Sequence, residues 1–98
     1  MKEGDKIDFI IIKKEQIQFL DSKGITNGKE IMLFAKLVAL CGKTNTCTPS
    51  NKYLSNLLCC SERNIRNYLK NLKGKGVIKI TEIKIDKDLS KRIIQITL

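Results

Sequence analysis

The sequence predicts an α+β fold of one domain spanning residues 1–98, in which three main helices precede a C-terminal β-hairpin. Three observations predict this fold. The 98 residues are enough for one hydrophobic core and too few for two. The apolar fraction of 42% and the charged fraction of 30% are typical of a folded chain. Between residues 27 and 72 the apolar side chains recur at helical spacing, whereas after Gly76 they alternate with polar ones at the period of a strand.

Residues 1–26 are predicted to form a short strand and a turn of helix. The β-branched run at residues 8–12 favours a strand. Residues 13–20 favour a helical turn, because two apolar side chains stand at an i, i+3 spacing. Residues 22–28 are polar and contain two glycines, which predicts a loop.

The central helix is predicted over residues 27–42. Asn27 is a suitable N-cap, and Glu30 places a negative charge in the first turn, where the helix dipole favours it. From residue 31 to residue 41 only Lys36 is polar, which indicates a helix buried nearly all round. Gly42 then serves as a C-cap. Residues 43–48 are predicted to be a polar connector.

Residues 49–74 are predicted to form two helices joined by a tight turn. The first helix covers residues 49–58, with Pro49 in its first turn, where proline is well tolerated. We expect four of its side chains to be buried, namely Tyr53, Leu54, Leu57 and Leu58. The second helix begins at Ser61 and ends at the glycines around residue 75. Its apolar side chains fall within one sector of about 100°, and they are Ile65, Tyr68, Leu69 and Leu72.

Residues 76–98 are predicted to form a β-hairpin. Two isoleucine pairs alternate with polar residues but out of phase with each other, which predicts a bulge at Thr81 and Glu82. Residues 86–90 form a polar tip. Residues 92–98 return as a strand that places on one face Ile94, Ile96 and Leu98.

The charge of the chain is concentrated in its second half. The formal net charge is +9. Residues 51–98 carry eight Lys and three Arg against four acids, a net of +7, whereas the first 50 residues have a net of +2. A basic half on a small domain indicates a polyanionic partner. The alternative is that the lysines serve only solubility.

Neither the N-terminus nor any apolar run resembles a targeting signal or a membrane span, so we expect a cytoplasmic protein without membrane contact. The four cysteines are Cys41, Cys47, Cys59 and Cys60. There is no Cys-x-x-Cys pair and no histidine to complete a metal site. We therefore expect buried or half-buried thiols and no cofactor or metal. Zinc and disulfides are the weaker alternatives.

Residues 54–61, 62–65 and 69–78 carry a pattern that resembles a known family. In winged helix-turn-helix domains, a Leu-Ala-x-x-Leu-Gly-Val-Ser run precedes x-Arg-Thr-Val and a Leu-x-x-Leu-x-x-x-Gly-(Leu/Val)-Ile ending. The resemblance covers residues 50–98 and implies a helix-turn-helix at 49–74 and a wing at 76–98. Three positions depart from the family pattern: Ser55 replaces Ala, Cys59 replaces the turn Gly, and Asn64 replaces Thr. The turn can require a left-handed residue at Cys59.

The resemblance implies double-stranded DNA as the partner, with the third helix in the major groove. Three residues of that helix suit base edges, namely Arg63, Asn64 and Asn67. Others suit phosphates, namely Lys52, Ser61, Arg66, Lys70 and Lys73. The wing adds Lys84, Lys87, Lys91 and Arg92. The competing interpretation is a merely solvated helix face. Catalysis is not expected, because no histidine, carboxylate pair or phosphate-binding loop supports it.

The domain also resembles the N-terminal domains of plasmid and phage replication initiators and the small accessory proteins of conjugative relaxosomes. This implies binding at an origin of replication or transfer, with a relaxase or replication proteins as partners. A small transcriptional regulator and a protein-interaction module are the alternatives. A homodimer that pairs through the strand at residues 8–12 is also compatible with the sequence.

Overall fold

Four α-helices, a short 3-10 helix (Gly42–Thr44) and a three-stranded antiparallel sheet lie within residues 12–97, the part of the chain that this computed structural model describes. The helices are α1 (Lys14–Ser22), α2 (Gly28–Cys41), α3 (Asn51–Leu58) and α4 (Glu62–Gly74). The strands are β1 (Thr46–Cys47), β2 (Ile78–Asp86) and β3 (Leu89–Ile96). The α+β winged helix-turn-helix fold is thereby confirmed. The strand predicted at residues 8–12 lies, apart from Ile12, outside the described residues.

Helix α2 is the centre of the domain, as predicted. The Asn27 side chain caps it by accepting hydrogen bonds from the backbone N–H groups of Lys29 (2.9 Å) and Glu30 (3.2 Å). Gly42 ends it with a positive φ of 57°. The helix packs against α1, α3, α4, β1 and β3. Its buried side chains therefore meet a neighbour on almost every side, and they include Leu33, Phe34 and Leu37.

Helix α3 begins two residues later than predicted. Its N-cap is Ser50, whose hydroxyl accepts from the Tyr53 N–H at 3.0 Å, so Pro49 precedes the cap instead of lying in the first turn. The prediction of a buried Tyr53 is also wrong, since 46% of this residue is exposed. The buried face of this short helix consists of Leu54, Ser55 and Leu58, and it leaves Tyr53 at its edge.

Helix α4 has the two-sided character that its sequence predicts. Ser61 caps it by accepting from the Asn64 N–H at 3.0 Å. Ile65, Leu69 and Leu72 are buried, and Tyr68 is half-buried against the core. Because these apolar residues recur at helical spacing, the opposite side of the helix faces solvent.

The turn between α3 and α4 contains a non-glycine residue in the left-handed region. Cys59 has φ 53° and ψ 48°, which is the conformation expected from its place in the family pattern. The turn is closed by a hydrogen bond of 3.1 Å from the Cys60 N–H to the Ser55 carbonyl. In addition, Lys29 Nζ donates to the Leu58 carbonyl at 2.6 Å and so neutralises the end of α3. The Cys59 side chain is exposed, contrary to prediction, whereas the other three thiols are buried or half-buried.

The hairpin of β2 and β3 runs without interruption past the predicted bulge. Thr81 pairs with Ile93 and Glu82 with Arg92, and the register shifts only between Lys84 and Asp86. The bulge prediction is wrong because the two isoleucine pairs serve different faces. Ile78 and Ile80 face the helices, whereas the second pair lies on the outer face, where Ile83 and Ile85 are 46% and 59% exposed.

A third strand joins the hairpin from the segment between α2 and α3. Residues Thr46 and Cys47 pair with Gln95 and Ile94 of β3, which gives the sheet order β1-β3-β2. The prediction of a polar connector over residues 43–48 is therefore wrong at these two positions. A two-residue strand is too short to show an alternating pattern in sequence.

The core lies between the helices and the inner face of the sheet. Val77, Ile78, Ile94 and Ile96 from the sheet region are buried together with the apolar residues of the helices. Leu98, which was predicted on the same face, lies outside the described residues. None of the helices between residues 12 and 97 has the length and apolar character needed to cross a membrane.

The left-handed turn residue predicts a simple gain in stability. A residue with a side chain in the left-handed conformation destabilises the folded state by about 1–2 kcal/mol. Glycine removes this strain, but it also makes the unfolded chain more flexible, which offsets part of the gain. We expect Cys59→Gly to raise the free energy of unfolding by about 0.5–1 kcal/mol. Urea unfolding followed by circular dichroism measures this change. Cys59→Ala is the matched control, because it removes the thiol and keeps the constraint. Equal stability of the Gly and Ala variants contradicts this explanation.

Candidate nucleic-acid interface

The exposed side of α4 is a basic and amide-rich surface. Arg63, Arg66, Asn67, Lys70 and Lys73 are all exposed. The first four follow one another at steps of three, one and three residues, so they lie along one stripe of the helix. Glu62 is the one acid of this helix. The surface therefore offers four cations and several amide groups to a partner.

The first turn of α4 presents its side chains beside the interhelical turn. Asn64 is exposed, and its backbone N–H is satisfied by the Ser61 cap. Because a hydroxyl that accepts one hydrogen bond still has its own hydrogen, Ser61 can donate to a further acceptor. Arg63, Asn64 and Ser61 thus form a cluster of donors at the helix start.

Asn71 differs from the other asparagines of α4. Its Nδ2 donates to Glu30 Oε1 at 2.9 Å, and Glu30 is 92% buried by the fold, with 8% of its surface exposed. The bond connects α4 to α2 and satisfies a buried carboxylate. Asn71 is therefore a packing residue and lies apart from the exposed stripe.

A groove runs between α4 and the wing and brings four of the predicted residues together. Its walls are Arg66, Leu69, Lys70 and Lys73 on α4, Ile80, Glu82 and Arg92 on the hairpin, and Asn51 on α3. Four cations face one carboxylate there. The groove is consequently positive, and polyanions that approach α4 are attracted into it.

Arg92 is fastened at the root of the wing. Its Nη1 donates to Asn51 Oδ1 at 2.7 Å, and its Nη2 donates to the Pro49 carbonyl at 2.6 Å. Burial lowers the pKa of Arg92, and the opposing charge of Glu82 acts in the other direction. The guanidinium therefore joins β3 to the start of α3, a role that sequence reasoning missed.

The remaining wing cations lie in two places. Lys91 lines a second groove at the start of α3, together with Pro49, Asn51 and Arg92. Lys52 is exposed in the first turn of that helix. Lys84 and Lys87 belong to the far end of the hairpin, where the Lys87 N–H donates to Asp86 Oδ1. They line neither groove.

Sequence reasoning missed two residues of this region. Glu82 pairs directly with Arg92 across the hairpin. The correct strand register would have predicted this pairing from the sequence. The predicted bulge at this point concealed the pairing. Asn51 gave no signal, because its partner Arg92 is 41 residues away in the chain.

Comparison with known proteins gives one positive result. A family described as helix-turn-helix domain matches residues 27–78, which include α2, the helix-turn-helix and the start of β2. No curated protein and no solved structure matches the chain. Between residues 12 and 97 there is no group of three or more His, Cys, Asp or Glu side chains arranged to hold a metal ion.

The anchoring of Arg92 predicts that lysine cannot replace it. A planar guanidinium reaches two acceptors at once, whereas an ammonium group cannot match that geometry. We expect Arg92→Lys to lower the free energy of unfolding by about 1–2 kcal/mol and to speed amide hydrogen exchange in β3. Lys91→Arg is the matched control, because it exchanges the same two residue types at the neighbouring position. It should leave the free energy of unfolding and the hydrogen exchange of β3 unchanged. Identical unfolding curves for Arg92→Lys and the unaltered chain contradict the anchoring role.

Proposed function

Because the chain belongs to the helix-turn-helix domain family, we propose that it binds double-stranded DNA sequence-specifically, with α4 in the major groove and the wing against the backbone. The observation that carries this proposal is the exposed side of α4. It offers four cations and Asn64 and Asn67, while the helix contains a single acid. A merely solvated helix face would mix the two signs of charge.

The proposed base contacts come from the first turns of α4. A major groove about 12 Å wide admits one helix. Arg63 has the fork of donors that pairs with guanine O6 and N7, and the amides of Asn64 and Asn67 can pair with adenine. These three residues are exposed near the start of the helix, which is the end that approaches base edges in this class of domain.

The proposed phosphate contacts surround those base contacts. On the helices they are Lys52, Ser61, Arg66, Lys70 and Lys73. The wing contributes Lys84, Lys87 and Lys91. The positive groove between α4 and the hairpin supports this assignment, because three of these residues line it. Arg92 holds the wing in place with two of its five N–H groups, and the other three can donate to a phosphate that enters the groove.

We further propose that the DNA site lies at an origin of replication or transfer of a plasmid or phage, with a relaxase or replication proteins as partners. The resemblance to replication-initiator domains and relaxosome accessory proteins supports this. A transcriptional regulator is the alternative use of the same interface. The position of the bound site, beside an origin or inside a promoter, distinguishes the two.

One observation favours a second candidate function, that of a protein-interaction module. The outer face of the hairpin exposes apolar side chains, with Ile83 at 46%, Ile85 at 59% and Leu89 at 57% exposure. Such clusters are typical of protein contact surfaces. Under this candidate function, duplex DNA would bind weakly and without sequence preference.

Selection of bound duplexes from a random pool at near-physiological salt tests the proposal directly. An enriched motif supports sequence-specific binding, and its location in the host element assigns the biological role. Binding without enrichment contradicts sequence-specific recognition and favours the protein-interaction module.

Substitutions on α4 and on the wing should have different effects. We expect Arg63→Ala and Asn67→Ala each to weaken binding to the selected site by about 1–3 kcal/mol and to relax its base preference. Lys87→Ala should weaken binding to all sequences alike. Titrations of labelled duplexes with matched and scrambled sequences separate these effects. Lys14→Ala removes the same charge from α1 and serves as the control. Unchanged site preference in Arg63→Ala rules out α4 as the recognition helix.

Binding should also depend steeply on salt. If about five phosphates are neutralised, log affinity falls against log salt concentration with a slope of about −4 to −5. Lys70→Ala should make that slope shallower by about one. Fluorescence anisotropy over a range of potassium chloride concentrations measures both slopes. A flat response argues against phosphate contacts altogether.

A further inference from the structure

Two thiols lie in direct contact on the side of the sheet where β1 joins β3. Cys41 is the last residue of α2 and Cys47 is the second residue of β1. Their Sγ atoms are 2.8 Å apart. A disulfide bond is about 2.05 Å long, so the sulfurs need to approach each other by less than about 1 Å.

The backbone holds both cysteines in this arrangement. Cys47 is fixed by its pairing with Ile94 of β3, and its Sγ also lies 4.0 Å from the Leu37 carbonyl of α2. Cys41 Sγ lies 3.8 Å from the Ile94 carbonyl. The contact between the thiols is therefore a property of the packed domain and needs no loop motion to form.

We propose that Cys41 and Cys47 are a modification site, at which a low-molecular-weight disulfide such as oxidised glutathione forms an intramolecular disulfide that fastens β1 to the end of α2. This inference is independent of DNA binding. The six-residue separation in sequence makes the closed loop short, and the two sulfurs are already in contact.

The two cysteines have different access to a reagent. Cys47 is half-buried and lines a shallow surface depression together with Leu40, Thr48, Pro49 and Tyr53. Cys41 is only 4% exposed. A reagent in solution therefore meets Cys47 first, and Cys41 can react only with a group already attached to Cys47.

The pKa values of the two thiols also indicate that Cys47 reacts before Cys41. Burial raises the pKa of Cys41 to about 12, so this group stays a thiol at neutral pH. Burial also raises the pKa of Cys47, while the hydrogen bond from Cys41 and the positive charge of Arg92 lower it in part. Cys47 is thus the better nucleophile of the two.

The reaction consists of two thiol–disulfide exchanges. Cys47 Sγ, as thiolate, attacks one sulfur of oxidised glutathione, which gives a mixed disulfide and releases one glutathione thiolate. Cys41 gives its proton to the released glutathione thiolate, and its Sγ, now a thiolate, attacks Cys47 Sγ and releases the second glutathione as a thiolate that takes a proton from water. The two cysteine protons end on the two glutathione molecules. The cysteine pair loses two electrons, and oxidised glutathione gains them.

The test uses the full chain with Cys59→Ser and Cys60→Ser, which leaves only the proposed pair. The folded, reduced protein is incubated with excess oxidised glutathione. Trypsin then cleaves after Lys36, Lys43 and Lys52, so Cys41 and Cys47 fall in separate peptides, 37–43 and 44–52. We expect these two peptides to be linked and the intact mass to fall by two hydrogen atoms. The melting temperature should rise by something on the order of 10 °C and return to its initial value on reduction.

The matched control adds Cys47→Ser, which keeps the buried Cys41 and removes its partner. This variant should show no linked peptide and no change in melting temperature. A stable mixed disulfide of glutathione on Cys47 overturns the proposal, as does the survival of both free thiols in the folded protein. Both outcomes are measured on folded proteins that keep Cys41, so the test does not require a substitution at this buried position.

Discussion

The whole domain depends on enclosing α2. This helix has one polar side chain between residues 31 and 41, so it must be surrounded by apolar surface to avoid water. Helices α1, α3 and α4 and strands β1 and β3 supply that enclosure, and α4 and β3 do so with Leu72 and Ile94, both fully buried. Removing α2 from water thus fixes the inward faces of α4 and the sheet at the same time. The opposite faces of α4 and the sheet then point toward solvent, and no further interaction is needed to place them there.

This constraint fixes the direction in which the candidate interface faces. Ile65, Leu69 and Leu72 can be buried only if the stripe that begins at Arg63 points away from the core. Two polar bonds then fix α4 and the turn before it: Asn71 to the buried Glu30, and Lys29 to the end of α3. The orientation of the candidate interface is accordingly set by the packing behind it.

The sequence was sufficient for the parts of the fold that rest on local periodicity. The cap at Asn27, the start of α4 at Ser61, the central position of α2 and the apolar sector of α4 were predicted, because each is encoded within a few turns of chain. Features that depend on distant partners were not. The strand at Thr46 exists only because β3 accepts it, and the uninterrupted hairpin depends on Ile83 and Ile85 being tolerated on an exposed face. The stripe on α4 was predictable for the same local reason as the helix itself, whereas the anchoring of Arg92 was not.

The wing shows how such a distant contact can orient part of the candidate interface. A hairpin that packs by its base alone would be free to tilt, because its outer half, from Thr81 to Lys91, is exposed. Arg92 limits that freedom at the point where the hairpin leaves the core, by bonding to the residues that begin α3. Because α3 and α4 share a turn, this guanidinium helps to set the angle between the wing and the stripe of α4, together with the direct packing of β2 against α4. The proposed binding surface is therefore a single composite face, whose two halves Arg92 joins with two of its five N–H groups.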